Sequence, residues 1–404
     1  MKVVQINSSC EYGSTGRITV EISKKLDEKQ IENYIFYSGN RRSDFKNGIQ
    51  INKKTSIRVH QVLSRVFGDQ GWHSYFTTKK LVLKLKKISP DIIHLHNIHG
   101  YYLHMDVLFK YLAKSNAKVI FTLHDCWAFT GHCTHFTQAK CKKWLTLCHN
   151  CPQKTQYPYS LFFDRSKTLF KRKQKLYDAI ENMTVTAVSL WLKKTAKQSK
   201  LLSKKEVCVI PNGIDIQKFL PKKPLDKING TDVTGKHIVL GVANYWSERK
   251  GLNDFKQLAK KLSHEFIVVI VGIKKEQQID MPKNIICLER TDSQEELAQI
   301  YSSALVFFNA SIEETFGLTT VEAMACGTPV ITYKSTACSD VVTKETGFAL
   351  TSNDVDGVLQ AIMKIKINGK EAYASACREH AKEYDSQRIY DEYINLYLKK
   401  TEEK

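Results

Sequence analysis

No apolar run in this chain is long enough to span a bilayer, and no apolar signal region follows Met1-Lys2, which leads straight into a strand-like Val3-Val4-Gln5-Ile6. Membrane-spanning and exported classes are set aside, and a cytoplasmic chain is expected. Repeats, low-complexity tracts and disordered tails are missing too, which excludes solenoids and linker-type proteins. Acidic residues are scarce in one half only. Residues 1–200 hold 13 Asp/Glu against 34 Lys/Arg, whereas residues 201–404 hold 28 against 27. The net charge of +20 therefore belongs to the first half, and such asymmetry points to a polyanionic partner. Nucleic acid, an anionic membrane surface and a pyrophosphate-bearing molecule are the candidates. The basic clusters at 79–87, 165–175 and 193–200 are interleaved with Leu, Phe and Trp. Apolar side chains have no role against phosphates alone, so this pattern fits an interfacial helix better than a nucleic-acid arm. Lys-rich solvated helix faces are the plain alternative.

What remains is an ordinary globular composition, 42% hydrophobic and 25% charged over 404 residues, enough for two or three domains. Near-continuous apolar runs at 3–6, 35–37, 92–95 and 119–123 read as strands of a parallel sheet covered on both faces. A second series lies at 238–242, 266–271, 285–288, 304–308 and 329–332. Helical stretches separate the strands, so two doubly wound α/β domains are expected. They would cover 1–205 and 206–385, with an amphipathic closing helix at 386–400 within the last segment, 386–404. The eleven cysteines, in a chain without an export signal, suit a reducing compartment where thiols are buried or metal-bound.

The densest chemistry lies at 309–331, N-A-S-I-E-E-T-F-G-L-T-T-V-E-A-M-A-C-G-T-P-V-I. A strand closed by Glu313-Glu314, a turn through Thr315-Phe316-Gly317-Leu318 and a helix from about 319 make half a Rossmann-type unit. Its ligand belongs at the strand's C-terminal end. Open N–H groups at the helix N-terminus would attract phosphate, and Gly317 lets a ligand approach the backbone. Glu314 and Glu322 would repel that phosphate, so they should face hydroxyl groups. Phosphate plus hydroxyls means a nucleotide sugar. In the first half, a loop at 8–16 precedes a helix from about Arg17. Its Gly13, Ser14, Thr15 and Gly16 can form an anion nest or simply a tight turn. His124 comes directly after the strand 119–123, at its ligand-facing end. Residues 126–151 carry C-x7-C-x6-C-x2-C at Cys133, Cys141, Cys148 and Cys151. Either a structural zinc on these four thiols or reduced packing cysteines fits that pattern.

The E-x7-E spacing with F-G-L inside it, followed by E-A-M-A-C-G-T-P-V, closely resembles the donor-site signature of retaining glycosyltransferases of family 4. The likeness runs through most of the chain in order: the Gly13–Gly16 loop, His124, I-P-N-G-I-D at 210–215, and Arg249-Lys250-Gly251. It implies the GT-B fold, two Rossmann-like domains facing across a cleft, with the C-terminal helix crossing back to the first. It implies donor contacts from Gly13, Ser14, Gly16, Arg249, Lys250, Glu314, Thr315, Phe316, Gly317, Leu318 and Glu322, with His124 on the transferred sugar. Arg249 and Lys250 would neutralise the leaving diphosphate, and Glu314 would act at the reacting sugar. No D-x-D-like metal motif closes a strand, so no catalytic cofactor is expected. The donor would be a UDP- or GDP-linked sugar. The acceptor would be a polyprenyl-pyrophosphate-linked glycan at the inner face of the cell membrane, in capsule, O-antigen or exopolysaccharide synthesis. Segments of the form H-D-x-W-x-F-T-G-x-C occur in a subset of bacterial family 4 enzymes that make surface polysaccharides. A nucleotide-sugar epimerase of the same fold is the nearest alternative. A basic nucleic-acid-binding protein would leave Glu314 and Glu322 unexplained.

Overall fold

In the computed structural model, which describes residues 1–399, the chain divides into two compact units. One is Met1–Pro211 with the residues from Tyr390 onward, and the other is Asn212–Ile389. The first comprises β1 (Lys2–Asn7), α1 (Gly13–Glu28), β2 (Glu32–Tyr37), β3 (Gly48–Gln50), α2 (Lys54–Phe67), α3 (Tyr75–Ile88) and β4 (Ile92–Leu95). It continues with α4 (Met105–Leu112), β5 (Lys118–Leu123), α5 (Ser166–Asp178), β6 (Met183–Ala187), α6 (Leu190–Gln198) and β7 (Glu206–Val209). The sheet is parallel throughout, in the order β3-β2-β1-β4-β5-β6-β7. Every residue of β4, β5 and β6 is buried, as expected of central parallel strands packed on both faces. Residues 124–165, between β5 and α5, contain no α-helix or strand, only 3-10 turns at Trp127–Phe129 and Lys143–Leu145.

The second unit opens with a small antiparallel hairpin, β8 (Lys227–Ile228) and β9 (Thr231–Asp232). Its main elements are β10 (His237–Val242), α7 (Leu252–Lys261), β11 (Phe266–Val271), β12 (Ile285–Leu288), α8 (Gln294–Ser303) and β13 (Val306–Asn309). They continue through α9 (Leu318–Ala325), β14 (Val330–Tyr333), β15 (Gly347–Leu350), α10 (Val355–Asn368) and α11 (Glu371–Lys382). The parallel sheet runs β12-β11-β10-β13-β14-β15. Counted within each sheet, both have the doubly wound order 3-2-1-4-5-6, and the first adds a seventh strand beyond it. The order reverses beside β1 in one and β10 in the other, and ligands of such sheets bind outside the strand ends at that point.

Two expected boundaries move. A division after residue 205 would cut off β7, which pairs with β6, so the first unit runs on to Pro211. The closing helix, α12 (Ser386–Leu398), starts in the second unit, and its residues from Tyr390 onward belong to the first. There Tyr393, Ile394 and Tyr397 are buried. The Tyr397 hydroxyl lies 2.6 Å from His94 Nδ1, and Thr122 Oγ1 donates to the Tyr393 hydroxyl at 3.3 Å. Lys118 Nζ donates to the carbonyls of Leu396 and Lys399 at 2.7 and 3.0 Å. Residues 400–404 of the expected segment lie outside the described residues.

Candidate active site

In the second unit, β13 ends at the buried Asn309, whose amide shapes the loop beyond the strand. Its Nδ2 donates to Thr320 Oγ1 at 3.0 Å and its Oδ1 accepts the Ser311 N–H at 3.1 Å. The chain crosses the strand end and turns at Gly317, whose φ of +96° lies in the left-handed region that favours glycine. Helix α9 starts at Leu318 with no side-chain cap and no acidic residue in its first turn. Its N-terminus therefore presents backbone N–H groups and a partial positive charge.

Glu314 sits beside that terminus. Its N–H donates to Thr336 Oγ1 at 2.8 Å and its carbonyl accepts the Ala337 N–H at 3.2 Å. Its carboxylate accepts from Ser311 Oγ at 3.3 Å and is ion-paired with Lys250, both side chains being largely buried. Lys250 comes from the 3-10 turn Glu248–Lys250 after β10, and Gly251 brings that turn in. A Cβ on Gly251 would lie 2.4 Å from the Ala310 carbonyl oxygen, and its φ is +74°. Arg249 completes the clasp: its carbonyl accepts the Ile312 N–H at 3.0 Å, and its Nη1 donates to the Glu313 carbonyl at 2.7 Å. The loops after β10 and β13 are thus locked together, with Arg249, Lys250 and Glu314 on adjacent backbone.

Glu322, in α9, accepts a hydrogen bond at 3.0 Å from the hydroxyl of Tyr301 in α8. Burial, then the neighbouring Glu322 charge, pushes the Tyr301 hydroxyl well above its ordinary range, so it stays a donor. Sequence reasoning missed Tyr301, which lies in a run of helical core positions. Phe316, expected at the donor, turns its side chain into the core. Its ring is buried and stacks edge-on against Tyr384 with centroids 5.5 Å apart, so only its backbone remains for a ligand. Thr315 and Leu318 are half-buried.

In the first unit, α1 begins at Gly13 rather than near Arg17. Gly13, Ser14, Thr15 and Gly16 are its first turn, not a loop. Gly16 packs closely, since a Cβ there would lie 2.9 Å from Ser9 Oγ, whereas Gly13 has open space around it and a φ of +70°. This helix too has no side-chain cap and no acid in its first turn. Asn7, at the end of β1, donates to the Ser9 carbonyl at 2.9 Å and accepts the Asn97 N–H at 3.2 Å, tying the loops after β1 and β4.

His124, just past β5, belongs to a chain of fixed hydrogen bonds. Gln5 Nε2 donates to the Thr19 carbonyl at 2.9 Å, so Gln5 Oε1 faces His96 Nε2 at 3.1 Å. His96 must carry its proton on Nε2. Burial, with His94 and His124 close by, holds it neutral, so its Nδ1 accepts from His124 Nε2 at 3.1 Å. The neutral His124 ring therefore has Nδ1 as its acceptor nitrogen. Burial lowers His124 to about 4 despite the adjacent Asp125. Burial alone would raise Asp125, but the His99 ring 2.7 Å away and the Trp127 N–H hold it at about 2.

Cys133, Cys141, Cys148 and Cys151 come together around one small cavity. Among the described residues, no three His, Cys, Asp or Glu side chains form a ready-made metal cage. No helix among them is long and apolar enough to cross a membrane.

Comparison with known proteins assigns this arrangement. The family model "Glycosyltransferase Family 4" matches residues 15–218, and "Glycosyl transferases group 1" matches 226–384. WcaC of Escherichia coli K12, a glycosyl transferase assigned to colanic acid biosynthesis, is 22% identical over 423 aligned positions, covering 98% of this chain and 99% of that one. The capsular polysaccharide biosynthesis glycosyltransferase CapM of Staphylococcus aureus is 26% identical over 54% of this chain and 63% of its own. HepE of Anabaena, solved with UDP, has a TM-score of 0.67 at 16% identity, over 98% of this chain and 99% of that one. With half of its length inside the family model and two Rossmann-like sheets of matching order, the chain belongs to glycosyltransferase family 4 and has the GT-B fold.

Proposed function

We propose that this glycosyltransferase moves a sugar from a UDP- or GDP-linked donor, with retention, to a polyprenyl-pyrophosphate-linked glycan in the synthesis of a bacterial surface polysaccharide. The Lys250–Glu314 ion pair beside the uncapped N-terminus of α9 carries this reading. A diphosphate arriving there takes over Lys250 and the α9 N–H groups. Glu314 then turns to the sugar, where positive charge develops at the anomeric carbon. Arg249 and Lys250 neutralise the departing diphosphate, the part a metal ion plays elsewhere, and the acceptor hydroxyl passes its proton to that leaving group. Glu322, steadied by Tyr301, accepts hydrogen bonds from ribose hydroxyls. His124 accepts one from the transferred sugar through Nδ1, and Gly13, Ser14 and Gly16 offer N–H groups at the start of α1 to donor phosphate. HepE supports a nucleotide-sugar donor by its bound UDP, and WcaC and CapM support a polysaccharide product.

Incubating the purified protein with a panel of nucleotide sugars tests this. Release of nucleoside diphosphate from one donor, undiminished by brief EDTA, is the expected result. An epimerised sugar nucleotide, or activity lost in EDTA and rescued by magnesium, would overturn it.

The acceptor places the enzyme on the inner face of the cell membrane. Its first unit exposes Leu161, Phe162 and Phe163, at 59, 67 and 50% of their surface, beside exposed Arg165, Lys167, Lys171 and Lys175. Leu169, Phe170 and Lys173, expected on the same surface, are buried because α5 turns them into the core, and Arg172 is paired with Asp106. Each exposed cation near anionic lipid adds about 1 kcal/mol. Binding to vesicles should rise with anionic lipid, fall with salt and weaken when these four cations become Gln. Equal binding to neutral and anionic vesicles would defeat the idea.

A further inference from the structure

The segment 124–165 is long, and its backbone lacks α-helix and strand, yet residues 126–133 are all buried. A stretch of this length without regular structure needs some other source of order. Its sulfur chemistry is concentrated at one point. Cys133, Cys141, Cys148 and Cys151 line a cavity with room for roughly one water-sized sphere, about 10 Å³, together with His132, His149 and Trp144.

Several observations mark this cavity as more than thiol packing. Cys133 and Cys151, eighteen residues apart, have sulfurs close enough to share a hydrogen bond, with Cys148 as a near neighbour of both. Backbone donors already point at sulfur: the Gly131 N–H reaches Cys148 Sγ at 3.2 Å, and the Gln153 N–H faces Cys151. Such N–H···S bonds stabilise thiolate far more than thiol, and they are the outer support that metal-bound sulfur needs. The Cys148–Cys151 pair closes on a left-handed Asn150, φ +43°, which folds C-x2-C into a tight two-ligand turn. His132, only 6% exposed, also lines the cavity, and its Nε2 has no hydrogen-bond partner.

The geometry points to a structural zinc ion held by Cys133, Cys141, Cys148 and Cys151. The four thiol protons leave to solvent as the ion enters. The side chains form no closed cage beforehand, so the ion draws the sulfurs inward to tetrahedral Zn–S distances, about 2.3 Å. The site stiffens the segment that begins at His124 and is separate from the sugar chemistry proposed above. Soft thiolate ligands favour zinc over magnesium or calcium.

Full-length protein purified without a metal-binding tag should contain about one zinc per chain by elemental analysis. Titrating native protein with an organomercurial should release that zinc in step with four thiols. Cobalt exchanged into the site should show the thiolate charge-transfer and intense visible bands of a tetrahedral four-sulfur centre. C148S with C151S should lose the metal, whereas C208S, on β7 away from the cavity, should keep it. No zinc in protein expressed in zinc-replete medium would overturn the proposal. So would a Cys133–Cys151 disulfide found by peptide mapping in place of metal. Since C148S/C151S can fail to fold, the mercurial titration of wild-type protein decides alone, and zinc released without thiol stoichiometry counts against the site.

Discussion

Lys250 and Glu314 hold each other in an ion pair, so neither can be changed without releasing the other. Glu314→Ala should lower kcat more than it raises KM, because the carboxylate acts where charge develops rather than where the donor is held. Glu322→Ala should do the reverse and weaken donor affinity by about 1.5–3 kcal/mol, the worth of hydrogen bonds to a charged acceptor. Steady-state kinetics of the two variants would separate them, and equal effects on both constants would merge their roles. Gln5 sits two hydrogen bonds from His124 and fixes its tautomer. Gln5→Leu should lower kcat by about tenfold, of the order of one lost hydrogen bond, with Gln5→Glu restoring most of it as the protonated acid, which donates to the Thr19 carbonyl and accepts from His96 Nε2. Failure of Gln5→Glu to rescue would reduce Gln5 to a packing residue. The sequence marks Glu314, Arg249, Lys250 and His124 by their place after strands, and Glu322 by the E-x7-E spacing that carries it into the helix. Tyr301, Gln5 and His96 lie inside buried elements, where nothing local separates a residue serving a site from one filling space.

Elements are legible where apolar runs are unbroken. The strands at 92–95, 266–271 and 285–288 are read from sequence with the bounds the structure gives them. The first turn of α1 is not legible, because G-S-T-G has loop composition. Segment 124–165 gives no periodic signal since its order comes from side-chain clusters, not from backbone ladders. Gly251 shows how one residue joins two elements. Gly251→Ala would place a methyl group against Ala310 in a left-handed backbone. It should destabilise the second unit by more than about 1 kcal/mol and push the Arg249-Lys250 turn off 310–314. A lower melting temperature together with a raised donor KM would be seen, and an unchanged protein would remove the clasp from the account.

For the whole molecule, stability should depend on pH through buried histidines. Burial lowers His60 to about 3 and His124 to about 4, and holds His94 and His96 well below their ordinary value of 6.5. The unfolded chain takes up those protons near 6.5 while the folded chain still refuses them. Stability is therefore complete above 6.5 and is lost as pH falls from there toward 4. Asp125, held at about 2, acts in the same direction lower down, below the usual carboxylate value. Urea midpoints measured between about pH 5.5 and 7.5, above the range where ordinary carboxylates titrate, should rise with pH. A flat profile there would mean that these histidines titrate normally.

The first unit's sheet is complete by residue 209, yet its core is filled by Tyr393 and Tyr397 and its Lys118 is bound by carbonyls near the C-terminus. A ribosome delivers those residues only after the whole second unit. During synthesis the nascent first half must wait, with His94 lacking its tyrosine, until the second half has been made and has emerged. Folding order thus runs against chain order, and a premature stop after Ile389 forfeits the first unit although its whole sheet has already been made. A protein ending there should lose slow amide exchange in β4 and β5 while β10 and β13 keep theirs, and a truncated chain with β4 and β5 still protected would show that the early half matures unaided.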